Sequence, residues 1–183
     1  MTHSPLHITA ISGSVRKQSS NTHILKALAS LFPEYIQVQF YDELESLPYF
    51  NPDPDKEHAP DAVQKLRTLL QASDAVIICT PEYAFGIPGV LKNALDWLVS
   101  SGELNEKPVA AITASPLTSG GDKAMASLVN TLTALGTLRN ECVTLCIPAI
   151  KTAMNDTGKI TSETLMQQLK EVSEQLIKLI ESR

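Results

Sequence analysis

The chain has 183 residues, enough for one α/β domain (1–183) with a substantial buried core. Its 15 Lys+Arg against 20 Asp+Glu give a net charge of -5, and no basic stripe runs along any expected helix, which weighs against nucleic acid as a partner. No apolar run approaches the ~20 residues of a membrane span, and the first residues hold neither a basic region nor an apolar core, so a cytoplasmic protein with no membrane contact is expected.

Residues 6–11 read as a first strand, followed by a polar, hydroxyl-rich loop at 12–21 and a helix with Ile24, Leu25, Leu28 and Leu31 on one face. Residues 36–41 alternate as a second strand. A proline- and acid-rich connection at 42–59 follows, long enough either to cover a site or contact a subunit, or to be a solvated excursion. A helix at 60–72, with Val63, Leu66, Leu69 and Leu70 inward, leads to the continuous apolar run 75–79, the pattern of a strand buried on both faces.

Thr80 and Pro81 end that strand, and Pro88 suits the first turn of a helix in which Leu91, Ala94, Leu95 and Leu98 recur at helical spacing. A fourth strand at 107–114 runs into the loop 115–121, and the next helix ends at Gly136. Residues 142–147 make a fifth strand, and a long amphipathic helix starts near Thr161. Five strands alternating with five helices predict a flavodoxin-like three-layer α/β sandwich, its parallel sheet in the order 2-1-3-4-5 with helices on both faces. In such a sheet a ligand lies outside the carboxyl ends of the strands, where the winding reverses between strands 1 and 3. Loops 12–21, 80–88 and 115–121 all emerge at that end.

Cys79, Cys142 and Cys146 lie in apolar strand-like runs without CxxC spacing and read as buried free thiols, Cys79 alone falling near the expected site. The four histidines share no metal-ligand spacing, so no metal is expected. In the first loop, Ser14, Arg16, Ser19, Ser20 and Asn21 stand just ahead of a helix. Hydroxyl and amide donors, free N–H groups and a guanidinium there suit a phosphate dianion; the simpler alternative is that Ser20 or Asn21 caps the helix.

The second loop carries Glu82, Tyr83 and Phe85. Aromatic rings beside backbone amides suit a flat heterocycle, while Trp97, at helical spacing, reads as packing. No partner carboxylate, histidine or nucleophile accompanies Glu82, so a structural or intersubunit ion pair is expected of it rather than catalysis. In the third loop the pair Gly120 and Gly121 permits close approach of backbone to a ligand. A phosphate site, an aromatic loop and a glycine pair around one crevice describe a mononucleotide with a planar ring, and flavin mononucleotide (FMN) fits.

Gly13-Ser14-Val15-Arg16-Lys17-Gln18-Ser19-Ser20-Asn21 resembles the GSxRxxSxN phosphate loop of the NADPH-dependent FMN reductase family. Thr80-Pro81-Glu82-Tyr83, with Pro88-Gly89-Val90-Leu91-Lys92-Asn93-Ala94-Leu95-Asp96-Trp97, resembles that family's TPEYNxxxPGxLKNAIDW signature. The resemblance implies that Ser14, Arg16, Ser19 and Asn21 hold the FMN phosphate and that Pro81, Glu82 and Tyr83 line the ribityl chain and ring. Ser115, Gly120 and Gly121 would then close the far side. It also implies reduction by NADH or NADPH, a small-molecule electron acceptor, and a homodimer or homotetramer with Trp97 and Leu98 as interface candidates.

Two departures stand out. Ala84 occupies a position where the family usually has Asn, which removes a possible polar contact near the flavin, and Asp122-Lys123 replaces the usual small residue and arginine. The expected activity is an NAD(P)H-dependent oxidoreductase that passes hydride to FMN and then, in ping-pong turnover, to a quinone, free flavin or similar acceptor. A non-catalytic flavodoxin-type carrier is the alternative, against which Arg16 argues. A flavin-binding regulatory protein is another, for which Ala84 is the only hint.

Overall fold

A computed structural model of the chain describes residues 5–183, apart from the side chains of Lys56 and Glu57. Five strands, β1 (Leu6–Ser12), β2 (Ile36–Tyr41), β3 (Ala75–Thr80), β4 (Val109–Ala114) and β5 (Thr144–Ile147), pair in parallel in the order β2-β1-β3-β4-β5. Every residue of β3 and β4 is buried, as their unbroken apolar runs require.

Alternation along the strands sends successive side chains to opposite faces and divides the core in two. On one face Ile11, Val76, Ile78, Val109 and Ala111 meet α3 (Asp61–Gln71), α4 (Gly89–Asp96) and α5 (Asp122–Ala134) through Leu66, Leu70, Leu91, Leu95, Leu128 and Leu132. On the other, Ile8, Ala10, Ile77, Ala110 and Ile112 meet α1 (Ser20–Ala29) and α6 (Glu163–Glu181). The register Ser12 to Cys79 and Thr80 to Thr113 brings the carboxyl ends of the three inner strands level, which is what sets their loops side by side. The order, the parallel sense and the two helical layers are those expected of the sequence. No helix among the described residues is long and apolar enough to cross a membrane.

The connection at 42–59 is not a free excursion. It holds a short 3-10 turn (Leu44–Ser46) and a further helix, α2 (Pro52–Glu57), making six α-helices rather than five among the described residues. The prolines that read as breakers include one at the start of α2, where a missing N–H costs nothing, and the Asn51 side chain caps it by accepting from Asp53 N at 3.0 Å.

This segment is docked on α4. Trp97 Nε1 donates to Pro48 O at 2.9 Å, Asn93 accepts from Phe50 N at 2.8 Å and donates to Pro48 O at 3.0 Å, and Phe50 meets Trp97 edge to face at 5.1 Å. Arg67 of α3 binds Asp55 at 2.7 Å. Trp97 and Leu98 are therefore buried in the chain's own core and not offered to a subunit interface; Val99 beside them is the exposed residue.

Strand β5 is shorter than the apolar run suggested. The Asn140 side chain accepts from Cys142 N at 3.0 Å and starts a 3-10 turn (Glu141–Val143), so pairing begins only at Thr144. As a result Cys142 is exposed and Cys146 half-buried, and Cys79 alone is the buried thiol that was expected of all three.

Candidate active site

The first loop leaves β1 through Gly13, whose N–H donates to Cys79 O at 2.8 Å. A Cβ at Gly13 would lie 2.3 Å from Thr80 Oγ1 and 2.9 Å from Leu91 Cδ2, so only glycine lets this loop cross against β3. Beyond it Ser14 is buried and Ser14 Oγ accepts from Arg16 N at 3.4 Å, while the Arg16 and Lys17 side chains stand in solvent.

The cap of α1 is Ser19, rather than Ser20 or Asn21: its Oγ accepts from Asn21 N at 3.2 Å. Among the described residues, the backbone N–H groups of Val15, Lys17, Gln18 and Ser20 have no acceptor. Unpaired donors, two buried hydroxyls and a guanidinium at the start of a ten-residue helix, with no carboxylate in the loop, match the chemistry of a phosphate group.

The second loop is held to the third by Glu82. Its Oε2 accepts the N–H of Ala124 at 2.9 Å, in the first turn of α5. That helix starts at Gly121, in the left-handed region at φ 80°, and has no side-chain cap of its own, so the carboxylate serves as one from another loop. Within the chain, among the described residues, Glu82 makes this cap and no structural ion pair. Gly121 suits the same junction: its φ lies in the left-handed region, and a Cβ there would press on Thr113 Cβ at 3.2 Å.

After Pro81 and Glu82 the chain turns back tightly. Tyr83 N donates to Gly86 O at 2.9 Å and Gly86 N to Tyr83 O at 3.0 Å, with Ala84 at φ 49° and Phe85 at φ 63° between them. Two successive left-handed residues define a type I′ turn, which favours Asn and Gly. Ala84 departs from the usual Asn at a place where the demand is conformational as well as polar. The turn presents Tyr83 at 50 % and Phe85 at 80 % exposure.

In the third loop the Ser115 hydroxyl is turned inward. It accepts from Leu117 N at 3.0 Å, while Ser115 O takes Ile150 N at 3.0 Å. Gly120 O accepts from Thr113 Oγ1 at 2.9 Å, and a Cβ at Gly120 would press on Pro148 N at 3.2 Å. Ser115 and Gly120 thus shape the loop against β5, leaving 116–119 as its exposed part.

The three loops form one rim. Gly13 and Cys79 tie the first to β3, and Glu82 ties the second to the third, across the point between β1 and β3 where the winding reverses. A recess opens on the β2 side of the first loop, lined by Ser12, Ser14, Arg16, Tyr41, Asp42 and Glu45 among others. Burial, with Glu43 and Asp42 nearby, pushes the Tyr41 hydroxyl up to about 12, so it stays protonated. Ser12, Thr22 and Asp42 at this recess were not among the residues singled out from sequence. Ser12 is the last residue of its strand and Asp42 follows the end of β2, the positions at which such a sheet meets its ligands.

The sequence matches the family described as NADPH-dependent FMN reductase over residues 6–148. The chain belongs to that family. A quinone reductase of Pseudomonas putida is 31% identical over 162 residues, covering 86% of both chains. An NAD(P)H-dependent FMN reductase of Pseudomonas aeruginosa is 31% identical over 170 residues, covering 90% of this chain and 91% of its own. Among solved structures, the flavoenzyme NAD(P)H:acceptor oxidoreductase FerB of Paracoccus denitrificans superposes with a TM-score of 0.86 at 30% identity, over 97% of this chain and 98% of that one.

As a member of the NADPH-dependent FMN reductase family the chain is an NAD(P)H-dependent flavin oxidoreductase, with FMN as its flavin and a nicotinamide nucleotide as co-substrate. The donor set of the first loop is consistent with that cofactor.

Proposed function

We propose that this FMN reductase passes a hydride from NADH or NADPH to bound FMN and then to a quinone or similar small acceptor, the two substrates using one pocket in turn. The observation that carries this reading is the continuous rim of three loops, with unpaired donors at one end and an exposed aromatic turn at the other. FMN supplies the redox chemistry when bound, as hydride acceptor and then donor. Ser14, Arg16, Ser19, Ser20 and Asn21 would hold its phosphate; Pro81, Glu82, Tyr83 and Ala84 would line its ribityl chain and ring; Ser115, Gly120 and Gly121 would bound the far side.

No side chain has to act as nucleophile. The work of the chain is to orient the flavin and leave one face open to a second ring, and exposed Tyr83 and Phe85 are suited to flank a flat acceptor. The relative from Pseudomonas putida is named a quinone reductase and one from Bacillus an NADPH azoreductase, which supports an acceptor of this kind. The whole chain would serve as one flavin-binding domain, working in the cytoplasm as a homodimer or homotetramer. Exposed Tyr49, Phe85 and Val99 are candidates for the subunit contact in place of Trp97 and Leu98.

Steady-state oxidation of NADH and of NADPH by the FMN-loaded protein, with a panel of quinones, tests the reading. Parallel double-reciprocal lines are expected. Intersecting lines overturn the shared pocket, and protein that stays colourless after addition of FMN overturns the reading altogether.

A further inference from the structure

We infer that Cys79 is a positioning residue for the phosphate cradle: its thiol sets the amide of Asn21, which leaves the Ser19 hydroxyl free to give its proton to the phosphate. The inference rests on the reading that the flavin phosphate lies in the first loop.

Cys79 is the next-to-last residue of β3, paired in register with Ser12, on the face covered by α1. Its Sγ donates to Asn21 Oδ1 at 3.3 Å, and both residues are buried. Burial raises the thiol far above its ordinary value, so it keeps its proton and acts as a donor rather than as a thiolate. That bond favours one orientation of the Asn21 amide, because the opposite one would set Nδ2 on sulfur, a weak acceptor, and leave the thiol proton unused. The oxygen faces the thiol, and Nδ2 donates to Ser19 Oγ at 3.4 Å.

Ser19 Oγ also accepts the backbone N–H of Asn21, at 3.2 Å. A serine hydroxyl has two acceptor lone pairs and one proton. With both lone pairs facing Asn21, the proton is left for an acceptor outside the pair, and the loop in which Ser19 lies has a phosphate-binding donor set. Turning the amide over would bring its oxygen to Ser19 Oγ and draw the hydroxyl proton inward. The backbone bond that caps α1 survives in either arrangement, so the thiol bears on phosphate binding more than on the helix.

The test compares the affinities of apo-protein for FMN and for riboflavin, which lacks the phosphate. Cys79→Ala should weaken FMN about fivefold, the effect of one neutral hydrogen bond, and leave riboflavin within about twofold of wild type. Cys79→Ser, which keeps a donor, should restore most of the difference. Should the smaller side chain unfold the protein, Cys79→Val fills the space without a donor and should behave as Cys79→Ala does. A wild-type ratio of FMN to riboflavin affinity in the alanine or valine variant overturns the inference, as does a serine variant no better than alanine. Wild-type protein that binds neither flavin overturns the functional reading instead.

Discussion

The Glu82 carboxylate accepts the N–H of Ala124 at 2.9 Å, so a residue of the loop after β3 caps the helix that follows β4. One bond couples the stability of α5 to the shape of the expected flavin wall. Glu82→Ala should therefore lower unfolding stability by about 1 kcal/mol, the usual worth of a helix cap, and weaken FMN as well. Urea denaturation and flavin titration of the same variant check both, and Glu82→Gln should recover part of each.

The turn at Ala84 and Phe85 holds two non-glycine residues in the left-handed region. This conformation costs roughly 1–2 kcal/mol for an ordinary L-residue, so Ala84→Gly or Ala84→Asn should raise the thermal midpoint, with a gain of up to about 1 kcal/mol in unfolding free energy. A fall in the midpoint of both variants would show that the turn is not strained in solution.

That turn also marks a limit of what could be read from the chain. The apolar run 75–79 announces a central strand, and the hydroxyl-rich run 12–21 announces a polar loop ahead of α1, because both signals are local in sequence. A type I′ turn usually declares itself by Asn-Gly, and here its centre is Ala-Phe, so nothing local marks it. The partner of Glu82 lies 42 residues away, and helix α2 hides behind prolines that elsewhere end helices. The burial of Trp97 depends on a segment 49 residues earlier in the chain. Tertiary pairing decided each of these.

Arg16 extends from the first loop into solvent beside the unpaired N–H groups. Arg16→Ala should reduce FMN affinity at least about tenfold, as expected of a charge-assisted bond to phosphate, and leave riboflavin binding nearly unchanged. Fluorescence titration of the two flavins separates the outcomes; equal losses would place Arg16 near the ring.

Asp55 predicts an acid-sensitive segment. Burial alone would raise its carboxyl, but hydrogen bonds from Ser100 and Arg67 and the guanidinium charge hold it below the ordinary value. The folded chain then binds that proton more weakly than the unfolded chain does. The contribution of Asp55 is present above the unfolded pKa of about 4 and is lost as pH falls through the folded value. Unfolding stability measured from pH 7 down to the acid limit should drop more steeply in wild type than in Asp55→Asn.

Trp97 is the chain's one tryptophan, and it sits at the contact of α4 with the docked 42–59 segment. Its emission is thus a natural gauge with two independent scales. Loosening of the segment exposes the indole and shifts the band to the red, whereas a bound flavin, which absorbs where indole emits, dims it without shifting it. A single unlabelled cuvette can therefore follow acid loosening and cofactor loading apart from each other.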